Sequence, residues 1–285
     1  MQSLRSSIAR IVSSPESTSL PRHVLAVLTV VVLVAAAVAL VNTGIAGASD
    51  AGATPVSSCR TITDPGVYEL TRDVAGDGPC IEIQTSDVTI DGNGYTVSQA
   101  SGLGPGAGVL ADDTGQLTNV TVRNVTVTEF GVGVWFRGVD NGEIRNVNAS
   151  CNREAGFNIS GDRNRVVYSV AYGNHGNGFE FPSVSSDGMH FDSPANNYLA
   201  HDVAVYNGRS GFSFGSHTSD NVVVDSLARH NALNGFATYN ARDTKFRNDR
   251  AVNNFRSGVR CFGSAEPTGE RHRGSQPRHR NQIGT

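Results

Sequence analysis

The sequence predicts an all-β solenoid, a single-stranded parallel β-helix, and three observations carry that reading. The first is a recurring phrase: Ala, two residues, Asn, three residues, Gly, then Phe or Val. It runs through Ala149-Asn152-Gly156-Phe157, Ala171-Asn174-Gly178-Phe179, Ala204-Asn207-Gly211-Phe212, Ala228-Asn231-Gly235-Phe236 and Ala251-Asn254-Gly258-Val259, with a degenerate earlier copy at Thr126-Glu129-Gly133-Val134. The second is the period: successive Asn positions lie 22, 33, 24 and 23 residues apart. A period in this range marks a solenoid whose rungs bury themselves only against their neighbours. The third is the alternation after each Gly, as in Phe157-Asn158-Ile159 and Phe212-Ser213-Phe214, which is the period of half-buried strands. After residue 42 no stretch carries apolar residues at helical spacing.

The elements follow in chain order. Residues 1–23 carry Arg5, Arg10 and Arg22 against Glu16 and read as a cytoplasmic N-terminal segment. Residues 24–41 are free of charge and rich in Val, Ala and Leu, long enough for one transmembrane or signal-anchor helix. The expected location is therefore a cell membrane crossed once with the solenoid outside; the alternative is secretion after signal cleavage at Ala46-Gly47-Ala48. Residues 42–57 are rich in Gly, Ala, Ser and Thr and read as a flexible linker. Residues 58–263 are the solenoid, expected to hold about seven coils. Residues 264–285, with Glu270-Arg-His-Arg and Pro277-Arg-His-Arg280, break the pattern and read as a disordered basic tail, a cationic extension or the product of a truncation or frameshift.

Within a rung, an apolar residue stands eight positions before each Asn: Ile144, Val166, Leu199, Val223 and Phe246. Polar pairs such as Tyr168-Ser169, His201-Asp202 and Asp225-Ser226 then suit a bend between two short strands. Coils stack about 4.8 Å apart, so Asn152, Asn174, Asn207, Asn231 and Asn254 can bond rung to rung as a ladder. The Gly four residues after each Asn is expected to take a positive-φ turn. The Ala and Phe sets are expected to face inward, small beside large.

At the start of the solenoid, Cys59 and Cys80 stand 21 residues apart where a cap must be held down, and they are the expected disulfide of an exported chain. Cys151 and Cys261 read as small buried apolar residues. Lys245 is the only Lys among 23 basic residues, which points to a high-salt or GC-rich source. Setting aside residues 1–23 and 264–285 leaves 16 basic and 23 acidic residues, a net charge of −7. Such a surface disfavours nucleic acid as a partner.

These rungs resemble the right-handed parallel β-helix repeats of the pectate-lyase-like superfamily, and more narrowly NosD-like, carbohydrate-binding and sugar-hydrolase β-helix domains. The opening segment, Cys59-Arg-Thr-Ile-Thr-Asp-Pro-Gly-Val-Tyr-Glu-Leu-Thr71, Cys80-Ile-Glu-Ile83 and Asp87-Val-Thr-Ile-Asp-Gly-Asn-Gly-Tyr95, resembles that of secreted β-helix proteins of salt-loving archaea. The resemblance implies a right-handed coil and a polysaccharide or cell-surface glycan as partner. It leaves activity open, because one fold hosts many.

Candidate chemistry centres on the 33-residue coil, whose extra residues lie at 181–195. Asp187, His190 and Asp192 are the candidate catalytic groups. The two carboxylates suit glycoside cleavage, which needs an acid and a base or nucleophile, and they also suit Ca2+. An ordinary solvated loop is the plain alternative. No other cofactor is expected. Asn174-His175-Gly176 resembles the Gly-His-Gly of polygalacturonases only superficially, since the companion motifs are missing. The NosD resemblance raises copper, but the histidines occupy different rung positions and only two Met exist. Trp135, Phe136, Tyr168 and Tyr172 could form a sugar-stacking platform. Asn119, Asn124, Asn148 and Asn158 begin glycosylation sequons. Two function classes follow: a membrane-anchored module that binds polysaccharide, and a lyase, hydrolase or epimerase acting at a groove beside the inserted coil.

Overall fold

A computed structural model describes residues 52–112, 115–182, 193–263 and 273–275. Every element in them is a strand, and the strands form three parallel nine-stranded sheets with a two-stranded pair, Leu117–Thr118 with Val139–Asp140, at one turn. Each coil contributes one strand to each sheet in turn. Val88–Asp91 lies in the first, Thr96–Gln99 in the second, Ala107–Ala111 in the third, and Val120–Arg123 returns to the first. The nine strands of a sheet span eight turns against the about seven coils expected, because the opening coils lack the Asn phrase. The first strand, Thr54–Val56, pairs with Tyr68–Leu70 and falls inside the stretch read as linker. A strand at Arg273–Ser275, in the stretch read as a disordered tail, pairs with Arg250–Val252. The expected helix at 24–41 lies outside the described residues. Among the described residues no helix is long and apolar enough to cross a membrane.

Register explains the repeat. Ile144, Val166, Leu199, Val223 and Phe246 are consecutive partners in the first sheet, and Ala149, Ala171, Ala204, Ala228 and Ala251 are consecutive partners in the second. In the third, Phe157, Phe179, Phe212 and Phe236 stack face to face with centroids 4.6, 4.7 and 4.8 Å apart. All of these are buried. The three columns fill the narrow interior with one large, one medium and one small side chain per coil, the complementarity that a close-packed core needs. The earlier copy holds in its second half, where Val134 pairs with Phe157, and is shifted by one in its first: Val127, not Thr126, pairs with Ala149, and Phe130, not Glu129, holds the ladder position.

The five Asn stand in line. Each side-chain amide donates to the Oδ1 of the next at 2.9 Å, from Asn152 through Asn174, Asn207 and Asn231 to Asn254. Each Oδ1 also accepts the backbone N–H of the Asn one coil earlier, and Nδ2 of each of the last four donates to the carbonyl of the preceding coil's Ala. Every ladder amide is therefore satisfied, which removes the penalty for burying it.

The Gly of the phrase does not take positive φ. That conformation belongs to the residue just before each Asn: Cys151, Gly173, Tyr206, His230 and Asn253, at 56°, 64°, 57°, 53° and 53°. The Gly is needed for closeness instead. A Cβ on Gly178 would sit 2.6 Å from the Gly211 carbonyl oxygen and 2.9 Å from Asn207 Nδ2. A second left-handed column runs through Asn146, Tyr168, His201, Asp225 and Asn248 at the bend between the first and second sheets. Left-handed conformation costs a non-Gly residue about 1–2 kcal/mol. At these turns stacking offsets part of it: Tyr168 on His201 and Tyr206 on His230, at 4.9 and 5.0 Å.

Sequence reasoning missed two further columns. Asn164, Asn197 and Asn221 form a shorter ladder, with Asn197 Nδ2 donating to Asn221 Oδ1 at 3.0 Å and Oδ1 of Asn197 and Asn221 accepting the backbone N–H one coil earlier. Ser169, Asp202, Ser226 and Asp249 form the other, each accepting a backbone N–H from the coil before. Cys59 and Cys80 are joined by a disulfide across the first coils. Cys151 is exposed and Cys261 half-buried, so neither is the small core residue expected; Cys151 sits at a left-handed turn that points outward.

Candidate functional site

Strand alternation gives the third sheet one outward row. In register it runs Leu110, Trp135, Asn158, Glu180, Ser213, Ala237 and Arg260, of which Ser213 and Ala237 are themselves buried. Their neighbours in sequence, including Phe157, Phe179, Phe212 and Phe236, point into the core. The row is thus fixed by the same period of two that builds the interior.

A cleft of about 240 Å³ opens on this row. Its lining includes Asn177, Glu180, Phe181, Pro182, Arg209 and Tyr239. Phe181 and Pro182 are the last described residues before the inserted segment, so the cleft lies where the long coil departs from the sheet. The side chain of Asn177 is buried, and its Oδ1 accepts the Ser210 backbone N–H at 3.0 Å. That bond holds the turn beneath the cleft.

Glu180 is the perturbed group of the cleft. Burial pushes its carboxyl above the usual range, a hydrogen bond from Asn177 and the Arg209 guanidinium pull it back, and Glu154 pushes it up again. A carboxyl raised by desolvation between a cation and an amide can take part in proton transfer and can orient a sugar hydroxyl. Arg209 offers a planar donor fork that suits carboxylate or sulfate. Tyr239 lies flat against Phe262 at 4.7 Å, with Arg260 over the Phe262 ring at 4.3 Å. Cation and ring are thus joined at the end of the row toward the C-terminus.

Asp187, His190 and Asp192 lie outside the described residues. Among the described residues, no cluster of three His, Cys, Asp or Glu could hold a metal ion. The expected aromatic platform divides. Trp135 is on the outward row, half-buried, with the Arg137 guanidinium 5.6 Å from its ring centroid. Phe136 is fully buried in the core, one residue out of phase with Trp135. Tyr168 and Tyr172 lie on other faces, at the bend before the second sheet and on that sheet. Of the four sequon asparagines only Asn119 is exposed.

The strongest carboxyl perturbations are elsewhere. Burial raises Asp202 well above the usual range and Asp249 to about 7; both sit in the buried Ser/Asp column, and neither lines the cleft beside Glu180. Their hydrogen bonds are to backbone amides, so they serve the fold. Sequence reasoning missed Glu180 and Arg209 because they come from different coils. Aligning the outward strand positions would have set Glu180 in a row with Trp135.

The chain matches the family model described as "Right handed beta helix region" over residues 107–270. The chain belongs to that right-handed β-helix family. No curated protein matches it by sequence. Among solved structures, the periplasmic alginate epimerase AlgG is 18% identical with TM-score 0.57, covering 74% of this chain and 50% of its own. An alginate lyase from Paenibacillus sp. str. FPU-7 is 12% identical with TM-score 0.55, covering 76% and 95%. Pectate lyase Pel9A is 13% identical with TM-score 0.52, covering 78% and 68%. The chain therefore spans about half of AlgG, and likeness at these identities establishes the pectate-lyase-like fold.

Proposed function

We propose that this protein binds an acidic polysaccharide laid along the outward row of the third sheet, with the cleft at the inserted coil as its principal subsite. The observation that carries this is that Glu180, Arg209 and Tyr239 line one cleft, with Glu180 in register with Trp135. A flat ring, a guanidinium fork and a hydrogen-bonding carboxyl on one face are the groups that recognise a charged sugar. Structural neighbours named for alginate and pectate support this class of ligand. The charge-free run at 24–41 supports a membrane anchor that holds the coil outside the cell.

Trp135 is the only Trp, so its fluorescence reports the row directly. Titration with alginate and pectate should change that emission, with a neutral glucan as the control. Arg209→Gln should weaken the acidic ligands at least about tenfold, as expected when a charge-assisted hydrogen bond is lost. Equal response to neutral and acidic polymers, or none, refutes the reading.

A second reading has its own observation. Glu180, with its raised carboxyl, is positioned to move a proton in lyase or epimerase chemistry. Asp187, His190 and Asp192 follow Pro182 in sequence and would supply partner groups, and Asp187 with Asp192 would suit Ca2+. Product formation from alginate or pectate that survives both Glu180→Gln and Asp187→Asn/Asp192→Asn would exclude these groups.

A further inference from the structure

The second sheet turns an apolar face outward in the middle coils. Ala171, Ala204 and Ala228 are buried in the core, so the residues on either side of them point away from it. Val170, Val203 and Leu227 are consecutive partners in register and only half-buried, a row of aliphatic side chains along the solenoid. Rings stand at both margins of the row. Tyr168 stacks on His201 at the bend before the sheet, and Tyr206 on His230 at the turn after it, with Tyr172 edge-on to Tyr206 at 6.0 Å. The four turn residues have left-handed backbone, which fixes where their rings stand. The inserted segment joins the solenoid between the third sheet and the first, across the coil from this face.

One strand carries the outward charges of this face. Asp225, Leu227 and Arg229 alternate with buried Ser226 and Ala228, so the acid and the base flank Leu227 at equal distance on the outer side. Neither charge forms an ion pair among the described residues. Arg229 Nε is buried and has no hydrogen-bond partner among them. A guanidinium nitrogen held away from water without an acceptor is a group still to be satisfied.

We infer that this face docks on the same face of a second copy, about a two-fold axis that runs along the solenoid over the apolar row. Such an axis sets each coil against its own counterpart and reverses the strands. Val170, Val203 and Leu227 then meet themselves, and residues two before the row meet residues two after it. Tyr168 meets the partner's Tyr172, and Asp225 meets the partner's Arg229, in both directions. An acidic polysaccharide would pair with Arg229 and be repelled by Asp225; a second copy answers both charges and supplies an apolar row of identical spacing. The contact is isologous, so it closes as a pair. It has one opposing element: Arg250, which follows Leu227 in the row, also lies on the axis and meets its own charge. Three coils about 4.8 Å apart give a contact smaller than the roughly 1,200 Å² of standard interfaces, so the pair is weak and concentration-dependent. The cleft beside Glu180 takes no part, and the inference does not rest on polysaccharide binding.

The test uses the full chain in a non-ionic detergent, with sedimentation velocity from about 1 μM to about 1 mM, the range of weak affinities. Wild type should pass from monomer to dimer and no further. Asp225→Arg and Arg229→Asp each set like charges against one another twice, and each should weaken the pair at least about tenfold. Mixed in equal amounts, the two variants should pair again, because each then faces the opposite sign. That recovery also shows that both fold. Arg250→Gln should tighten the pair. In a Cys151→Ser/Cys261→Ser background, Leu227→Cys should form an intermolecular disulfide on mild oxidation, because position 227 lies on the axis, whereas Tyr172→Cys should not. A wild type that stays monomeric, growth beyond a pair, single variants that associate like wild type, a mixture that does not recover, or no disulfide from Leu227→Cys would each overturn the proposal. So would alginate shielding the Leu227→Cys thiol from alkylation in a monomeric protein, which would give the face to a sugar.

Discussion

Replacing Asn207 by Ala tests the ladder at its centre. Asn207 is 1% exposed and its amide makes four hydrogen bonds. Its Oδ1 accepts from Asn174 N at 3.1 Å and Asn174 Nδ2 at 2.9 Å; its Nδ2 donates to Ala171 O at 3.1 Å and Asn231 Oδ1 at 2.9 Å. Truncation strands the two Asn174 donors. Asn231 Oδ1 keeps the Asn207 backbone N–H at 3.0 Å, so the acceptor side suffers less. Each buried orphan costs about 1–3 kcal/mol, which puts the loss at roughly 2–6 kcal/mol. Urea unfolding followed by far-ultraviolet circular dichroism should show a lower midpoint with an unchanged slope. Asn207→Asp sharpens the test. It keeps the Oδ1 acceptor but turns a second oxygen toward Ala171 O and Asn231 Oδ1, both acceptors. That carboxyl must stay protonated to fit, so its folded pKa rises, and the variant should be most stable at low pH and weaken as pH rises. A loss under about 1 kcal/mol for Asn207→Ala, or no pH dependence for Asn207→Asp, would refute the view that the ladder holds the coils together.

Two more predictions concern single positions. Gly178→Ala should cost roughly 2–4 kcal/mol in the same unfolding assay, because its Cβ would meet backbone of the next coil, whereas a Cβ on Gly258 meets, among the described residues, the Ala251 Cβ at 3.2 Å, and Gly258→Ala should cost under about 1 kcal/mol. The Asp249 carboxyl is raised from 3.8 to about 7 in the folded chain, so folding favours its protonated form; stability should be fullest below about 4 and fall as pH rises through 7, by at most about 4 kcal/mol, and Asp249→Asn should flatten that slope in unfolding curves taken across pH 4 to 8.

The fold was legible because one coil copies the next. Ala149, Asn152 and Phe157 recur at the same offsets, so their columns can be read from the sequence alone. Asn164, Asn197 and Asn221 were equally readable, ten residues before Asn174, Asn207 and Asn231, but the next coil carries Thr244 there and the preceding one Gly142, which hid the column. The conformation of the Gly was misread because a Gly beside a turn ordinarily supplies positive φ; here the limit is the approach of the neighbouring backbone, which one coil alone does not reveal. The cleft was least legible. Glu180 holds a regular outward strand position, but its residue type and those of Arg209 and Tyr239 do not recur from coil to coil, so no repeat marks them.

The coil from Asn174 to Asn207 is the longest of the series, yet its amide bond is 2.9 Å, the same as across the 22- and 24-residue coils on either side. The ladder does not register how many residues separate its rungs. The sequence between Pro182 and Ser193 can therefore lengthen, shorten or be exchanged while the columns remain in place. The solenoid is a chassis with a grafting point, and a binding specificity moved into that site would arrive on a surface already aligned with Trp135 and Glu180.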